Sequence, residues 1–151
     1  MRRYAGYQTG KTNTTSTTVP LWSLIGAATF RLQLYDLIAS SDATPADNYA
    51  EFSIKRNTSN GTAGSTFTPV ALDPGDPASL ATFIVNQNGT PTLTASSEVL
   101  GWSQNQRATF RWVAVPDGEL IIPATAANGL SLMAVGSNST GTYSFTAHWR
   151  E

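Results

Sequence analysis

Short runs in which apolar and polar residues alternate occupy most of the chain after residue 20. Successive side chains of a β-strand point to opposite faces, so a period of two predicts strands with one buried face. Trp112 and Trp149 are in phase with neighbouring phenylalanines and are expected in the core. The clearest runs span residues 30–35, 50–55, 107–114, 130–135 and 143–149.

Weaker apolar runs lie between these five. Residues 66–72 and 80–85 fit short strands or extended loops, and 80–85 also fits one helical turn after Pro77. Residues 92–100 and 120–122 are further strand candidates. Turn sequences rich in Gly, Pro and Asn separate the runs. Many short strands with almost no helical periodicity predict an all-β fold, a single β-sandwich or jelly roll over residues 21–151.

The first twenty residues have a different character. Residues 8–18 include no large apolar side chain, and residues 12–18 are all Thr, Ser or Asn. Such a stretch buries too little apolar surface to offset the entropy lost on ordering. We therefore expect residues 1–20 to form a flexible, extended N-terminal arm. Its anchors on a partner surface would be the charged and aromatic side chains Arg2, Arg3, Tyr4 and Tyr7.

Composition narrows the possible functions. The chain has no Cys, one His, 13 % charged residues and a formal net charge of −1. Disulfides and thiolate metal sites are excluded, and the charge gives no electrostatic case for binding nucleic acid or an anionic membrane. No run approaches the roughly 18 apolar residues of a membrane span. The pair Arg2-Arg3 has no apolar segment behind it, so no signal peptide is expected.

Candidate catalytic groups are scarce. His148 is expected to be exposed on the outer face of the last strand, and no nucleophile motif accompanies it. Most of the ten carboxylates are expected in turns, where Asp bonds to nearby backbone. The sequence therefore predicts no catalytic, cofactor-binding or metal site. Asp73 and Asp76 are expected to belong to a stiff, proline-rich turn. The alternative interpretation of this corner is a site for a bound structural cation.

Binding candidates are more numerous. Trp22 and Trp102 are not fixed by the alternation, and they fit either an interface or a platform on which sugars stack. Arg107 and Arg111 are expected on one face of a strand, as an arginine-bearing contact surface. The alternative for that face is ordinary solvent exposure.

Several stretches resemble small β proteins encoded among the head genes of tailed bacteriophages, namely capsid decoration, or cement, proteins. The resemblance covers roughly residues 24–151. The stretches that carry it are residues 105–116, residues 119–125 with Gly129-Leu130, Phe67-Thr68-Pro69 with Leu72-Asp73-Pro74, and the closing residues 148–151.

The resemblance implies a non-enzymatic protein with a jelly-roll-like body on the outer capsid surface of the virion. Such proteins are usually homotrimers that bridge major capsid subunits, often with an arm reaching to a neighbour. The expected partners are thus the major capsid protein and further copies of the chain. The alternative is a carbohydrate- or receptor-binding β-sandwich of a tail fibre or spike. Solvent-facing rings at Trp22 and Trp102 would favour that alternative. Buried or oligomer-facing rings would favour a capsid decoration protein.

Overall fold

Two antiparallel β-sheets pack face to face in the computed structural model, which describes residues 1–13, 18–41, 44–62, 64–136 and 139–151. No helix occurs in those residues, so none there is long and apolar enough to cross a membrane. The all-β class and the sandwich are thus confirmed. The described residues form twelve strands: β1 (Arg3–Asn13), β2 (Trp22–Ile25), β3 (Leu32–Ser41), β4 (Tyr49–Asn57), β5 (Ser65–Phe67), β6 (Val70–Ala71), β7 (Thr82–Val85), β8 (Leu93–Asn105), β9 (Phe110–Val113), β10 (Leu120–Ile122), β11 (Gly129–Val135) and β12 (Gly141–Arg150).

The strands pair in a nested order. In sheet A the order is β10-β3-β12-β1-β6, with β9 also paired to β3; in sheet B it is β5-β7-β2-β11-β4-β8. Consequently β1 pairs with β12, β2 with β11, β3 with β9 and β10, and β4 with β8. The chain thus folds back on itself as a two-stranded ribbon, and successive strand pairs of this ribbon alternate between sheet A and sheet B. The segment between β4 and β8 adds β5, β6 and β7 to the two sheets.

The inward side chains of both sheets form one aromatic core. Phe83 lies at its centre, with ring centroids 5.3 Å from Trp22 and 5.8 Å from Trp149. Phe52 meets Tyr143 edge to face at 5.0 Å. Trp149 is fully buried, as expected, whereas Trp112 is half-buried and packs against the core.

The alternating runs predicted the strands well. The five clear runs overlap β3, β4, β9, β11 and β12, respectively. The ambiguous run 80–85 contains strand β7 and no helical turn, and 66–72 divides into parts of two short strands. The strand within the run 107–114 is shorter than expected, since β9 begins only at Phe110. Phe30, expected to point inward, is exposed because it precedes β3.

The predicted flexible arm is wrong for residues 3–13, which form β1. This strand pairs with β12 from Arg3 to Asn13 and with β6 on its other side. Backbone pairing holds it, with Tyr4 in the core, and the register shifts between Gln8 and Lys11, where Gly10 has a φ of 58°. Residues 14–17 of the expected arm lie outside the described residues.

Two contacts explain why so polar a segment joins the sandwich. A Cβ on Gly6 would lie 2.6 Å from the Phe83 ring, so the absence of a side chain lets that ring pack directly on β1. Gln8 is buried and bonds Asn86 twice: its Oε1 accepts from the Asn86 backbone N–H at 2.9 Å, and its Nε2 donates to Asn86 Oδ1 at 3.0 Å. A satisfied amide thus occupies a position that apolar periodicity does not mark.

Candidate functional site

The outer face of sheet A carries a continuous set of side chains from four strands. Strand register places Ala5 of β1 beside His148 of β12, His148 beside Asp36 of β3, and Asp36 beside Val113 of β9. The flanking rows add three of the predicted contact residues: Arg3, Tyr7 and Arg111. We call this set the outer face of sheet A.

Asp36 is the centre of this face. Its carboxylate is buried and accepts two hydrogen bonds from Arg111, at 3.0 Å from Nε and 2.8 Å from Nη2. The Nδ1 atom of His148 lies 3.1 Å from Asp36 Oδ2, and the imidazole stacks on Tyr35 with centroids 6.2 Å apart. The bidentate guanidinium fixes the carboxylate in one orientation, and the carboxylate in turn fixes the imidazole.

Opposing effects set the pKa of Asp36. Burial of the carboxyl acts to raise the pKa, but the hydrogen bonds from Arg111 and His148 and the charge of Arg111 outweigh it and leave the pKa below its ordinary value. The same contact raises the pKa of Arg111. The carboxylate is therefore ionised, and its charge is neutralised by a guanidinium that is itself mostly exposed.

This arrangement predicts an acid-dependent loss of stability. A carboxyl whose folded pKa is depressed stabilises the fold fully above its unfolded pKa, near 4, and loses that contribution as pH falls through the folded value. We expect Asp36→Asn to lower the free energy of unfolding at pH 7 by about 1 kcal/mol, a value that allows for solvent screening of Arg111. Urea denaturation of both proteins from pH 7 downward should show the difference shrinking below about pH 4. A difference that stays constant with pH would contradict this role.

Exposed apolar side chains lie on the outer face of sheet A on both sides of the ion pair. Val70, Val113 and Tyr7 expose 56 %, 55 % and 42 % of their surfaces. They come from β6, β9 and β1, on both sides of the central Asp36. A sheet face that combines exposed apolar side chains with arginines and a tyrosine is typical of a protein contact surface.

One end of the face is built around Arg150. Its guanidinium donates hydrogen bonds to Gln33 and Glu119. Shallow hollows of about 430 and 440 Å³ lie beside it, and Tyr35 with Arg150 lines both. Arg3 belongs to the second hollow, so this end of the face is basic on the β1 side.

The other predicted contact residues lie elsewhere. Arg2 precedes β1, and its backbone N–H donates to the Glu151 carbonyl at 3.2 Å. Arg107 is exposed in the turn between β8 and β9, so it does not share a strand face with Arg111 as expected. The expectation that Arg107 and Arg111 share one strand face is wrong, because β9 begins three residues after Arg107.

Tyr4 and Trp22 cannot meet a partner in this fold, because both are fully buried in the core. Trp102 is half-buried at the side of the sandwich, where its ring stacks on Phe110 of the opposite sheet at 4.6 Å and tilts against Phe52 at 5.3 Å. The sugar-binding alternative required solvent-facing rings. Trp22 does not meet that requirement, and the partly exposed Trp102 lines a shallow trough on sheet B while its ring packs against Phe110 and Phe52.

The pairing of Asp36 with His148 was missed in the sequence. His148 was expected to be exposed, yet its side chain is only 21 % exposed because Asp36 and Tyr35 flank it. The available signal was the break in alternation between Leu34 and Leu37, both of which point inward. The extra residue of this bulge places a carboxylate in mid-strand, whereas most of the carboxylates had been expected in turns.

An Asp–His pair can orient an imidazole for proton transfer. In the described part of the chain no serine or threonine hydroxyl hydrogen-bonds to His148. The same part contains no group of three or more His, Asp or Glu that could hold a metal ion. At the proline-rich corner, Asp73 Oδ1 accepts from the Gly75 N–H at 2.9 Å, which makes it a turn-forming residue.

No family model, no curated protein and no solved structure matches this chain. The functional argument therefore depends on the geometry of the sheet surfaces.

Proposed function

We propose that this chain is a non-enzymatic structural protein of a tailed-phage virion, which decorates the outer surface of the capsid as a homotrimer and bridges major capsid subunits. The outer face of sheet A would be its contact surface. The observation that carries the proposal is the combination on that face of exposed Tyr7, Val70 and Val113 with the Asp36–Arg111 ion pair. Sequence resemblance supplies the capsid as the partner.

Jelly-roll topology is part of this proposal. The nested pairing supports it, because it yields two four-stranded sets, β1-β12-β3-β9 and β2-β11-β4-β8, from one folded-back ribbon. Eight strands in two Greek keys define a jelly roll, an architecture found in viral capsid and lectin domains. β5, β6 and β7 would then be an insertion that extends both sheets beyond β1 and β2.

The Asp36–Arg111 pair suits a surface that must keep its shape while it binds and releases. Because the carboxylate is fixed by two hydrogen bonds, little side-chain entropy at this point remains to be lost on docking. A cyclic trimer would present three copies of the face at once. Modest contacts by each copy would then give durable attachment through avidity.

The test uses two matched single variants. Tyr7→Ala alters the outer face of sheet A, whereas Tyr49→Ala removes an equal ring from an exposed position on sheet B. We expect Tyr7→Ala to weaken co-sedimentation with heads of the encoding phage by about 10- to 100-fold. Tyr49→Ala should bind as the unaltered protein does.

Light scattering provides the companion measurement. The proposal expects a mass three times the 16.1 kDa of one chain. A monomer in solution that also fails to sediment with heads would contradict the proposal. Equal weakening by Tyr7→Ala and Tyr49→Ala would show that the outer face of sheet A is not the contact surface.

A further inference from the structure

A second surface feature lies on the opposite side of the molecule, on the outer face of sheet B. It is a trough of about 430 Å³ that follows strands β4 and β8. Ser53 and Gly101 lie opposite each other and form its middle. Glu51 with Ser103 lies at one end, and Lys55 with Glu98 at the other.

The charges of the trough do not cancel. Lys55 Nζ lies 2.7 Å from Glu98 Oε1, so these two groups neutralise each other. The Glu51 carboxylate accepts a hydrogen bond from Ser103 Oγ at 3.2 Å, but it has no ion-pair partner within the described residues. One negative charge therefore remains at the Glu51 end.

The middle of the trough is formed by two small residues. Ser53 is 5 % exposed, and its hydroxyl oxygen is shielded from solvent, so it offers a ligand no open hydrogen-bonding group. Across from it, Gly101 leaves the surface open: an added Cβ would meet only the Phe52 carbonyl oxygen, at 3.7 Å.

We propose that this trough binds the side chain of an arginine presented by a neighbouring protein. The guanidinium would donate two parallel hydrogen bonds to the Glu51 carboxylate at the end of the trough. The aliphatic stem would lie over Gly101 against Val135, which is partly exposed at the edge of the trough. This site is distinct from the outer face of sheet A and does not depend on the proposed function.

The experiment is an NMR titration of the full chain with N-acetyl-arginine amide. Its neutral isostere, N-acetyl-citrulline amide, is the matched control ligand. We expect arginine to shift the backbone amides of Ser53, Gly101 and Ser103, with a dissociation constant of about 1 mM, and citrulline to leave them unmoved. Glu51→Gln should weaken arginine binding at least about tenfold, through loss of the charged acceptor.

Gly101→Val supplies a second test, because the added methyl groups would occupy the trough without contacting the core. Its amide spectrum should keep the dispersion of the folded protein while the response to arginine disappears. Equal shifts with arginine and citrulline, or no shifts with arginine at concentrations well above about 1 mM, would overturn the proposal. Shifts of these amides by methyl glucoside but not by arginine would also overturn it and assign the trough to a sugar.

Discussion

Removal of residues 1–13 is expected to abolish cooperative folding. These residues include the whole of β1, which lies between β12 and β6 in sheet A. The deletion removes Tyr4 from the core, where its ring packs on Trp149 at 6.3 Å and its hydroxyl donates to the Pro77 carbonyl at 3.0 Å. It also exposes the edge of β12. The loss should exceed about 5 kcal/mol, the lower end of the stability of ordinary domains.

Thermal unfolding followed by near-ultraviolet circular dichroism measures this effect. The control is deletion of Met1 and Arg2 alone, since both precede β1 and are exposed. That protein should keep a cooperative transition within a few degrees of the full chain. A cooperative transition in the protein that lacks residues 1–13 would contradict the structural role of β1 and restore the flexible arm that the sequence predicted.

Replacement of Phe83 by Ala is expected to cause a large loss of stability. The ring is fully buried and contacts Trp22, Trp149 and Phe67. Gly6 lies directly beneath it, so β1 offers no side chain to fill the space that is left. We expect a loss of about 3–5 kcal/mol, made up of transfer free energy and the cost of a cavity.

Urea denaturation tests this prediction against Phe30→Ala, which removes an equal ring from an exposed position. The control should change the free energy of unfolding by no more than about 0.5 kcal/mol. The slope of the free energy of unfolding against urea concentration should be unchanged in both variants, so that the shift in the midpoint of unfolding reports the change in stability. A Phe83→Ala midpoint close to that of the Phe30→Ala protein would show that the core closes around the cavity.

The sandwich was predictable wherever one face of a strand is apolar and the other polar. The runs around Phe52 and Phe145 show this, since alternation alone placed both side chains in the core. β1 was not predictable in this way. Its inward positions include Gly6 and Gln8, whose burial depends on Phe83 and Asn86, partners more than 75 residues away. Periodicity reports local burial and not long-range polar pairing.

The candidate site was predictable only in its parts. Arg3, Tyr7 and Arg111 were singled out for their residue types, which are common at interfaces. Their union on one face depends on the register of β1, β12, β3 and β9, which a single sequence does not specify. Asp36 was missed because a bulge reverses the side-chain phase at that point. The trough was missed because its residues lie on β4, β8 and β11, strands that are distant in sequence and meet only through pairing.

The nested pairing sets an order of events during synthesis. β1 and β12 lie far apart in the sequence, yet they are adjacent strands in sheet A. Contacts of such long sequence separation form slowly, because the intervening chain must be brought into place first. On the ribosome, β1 must therefore wait until β12 has been translated. Until then Tyr4 lacks the Trp149 ring on which it packs, and one edge of β1 is unpaired, so the nascent chain is prone to wrong association while it is being made.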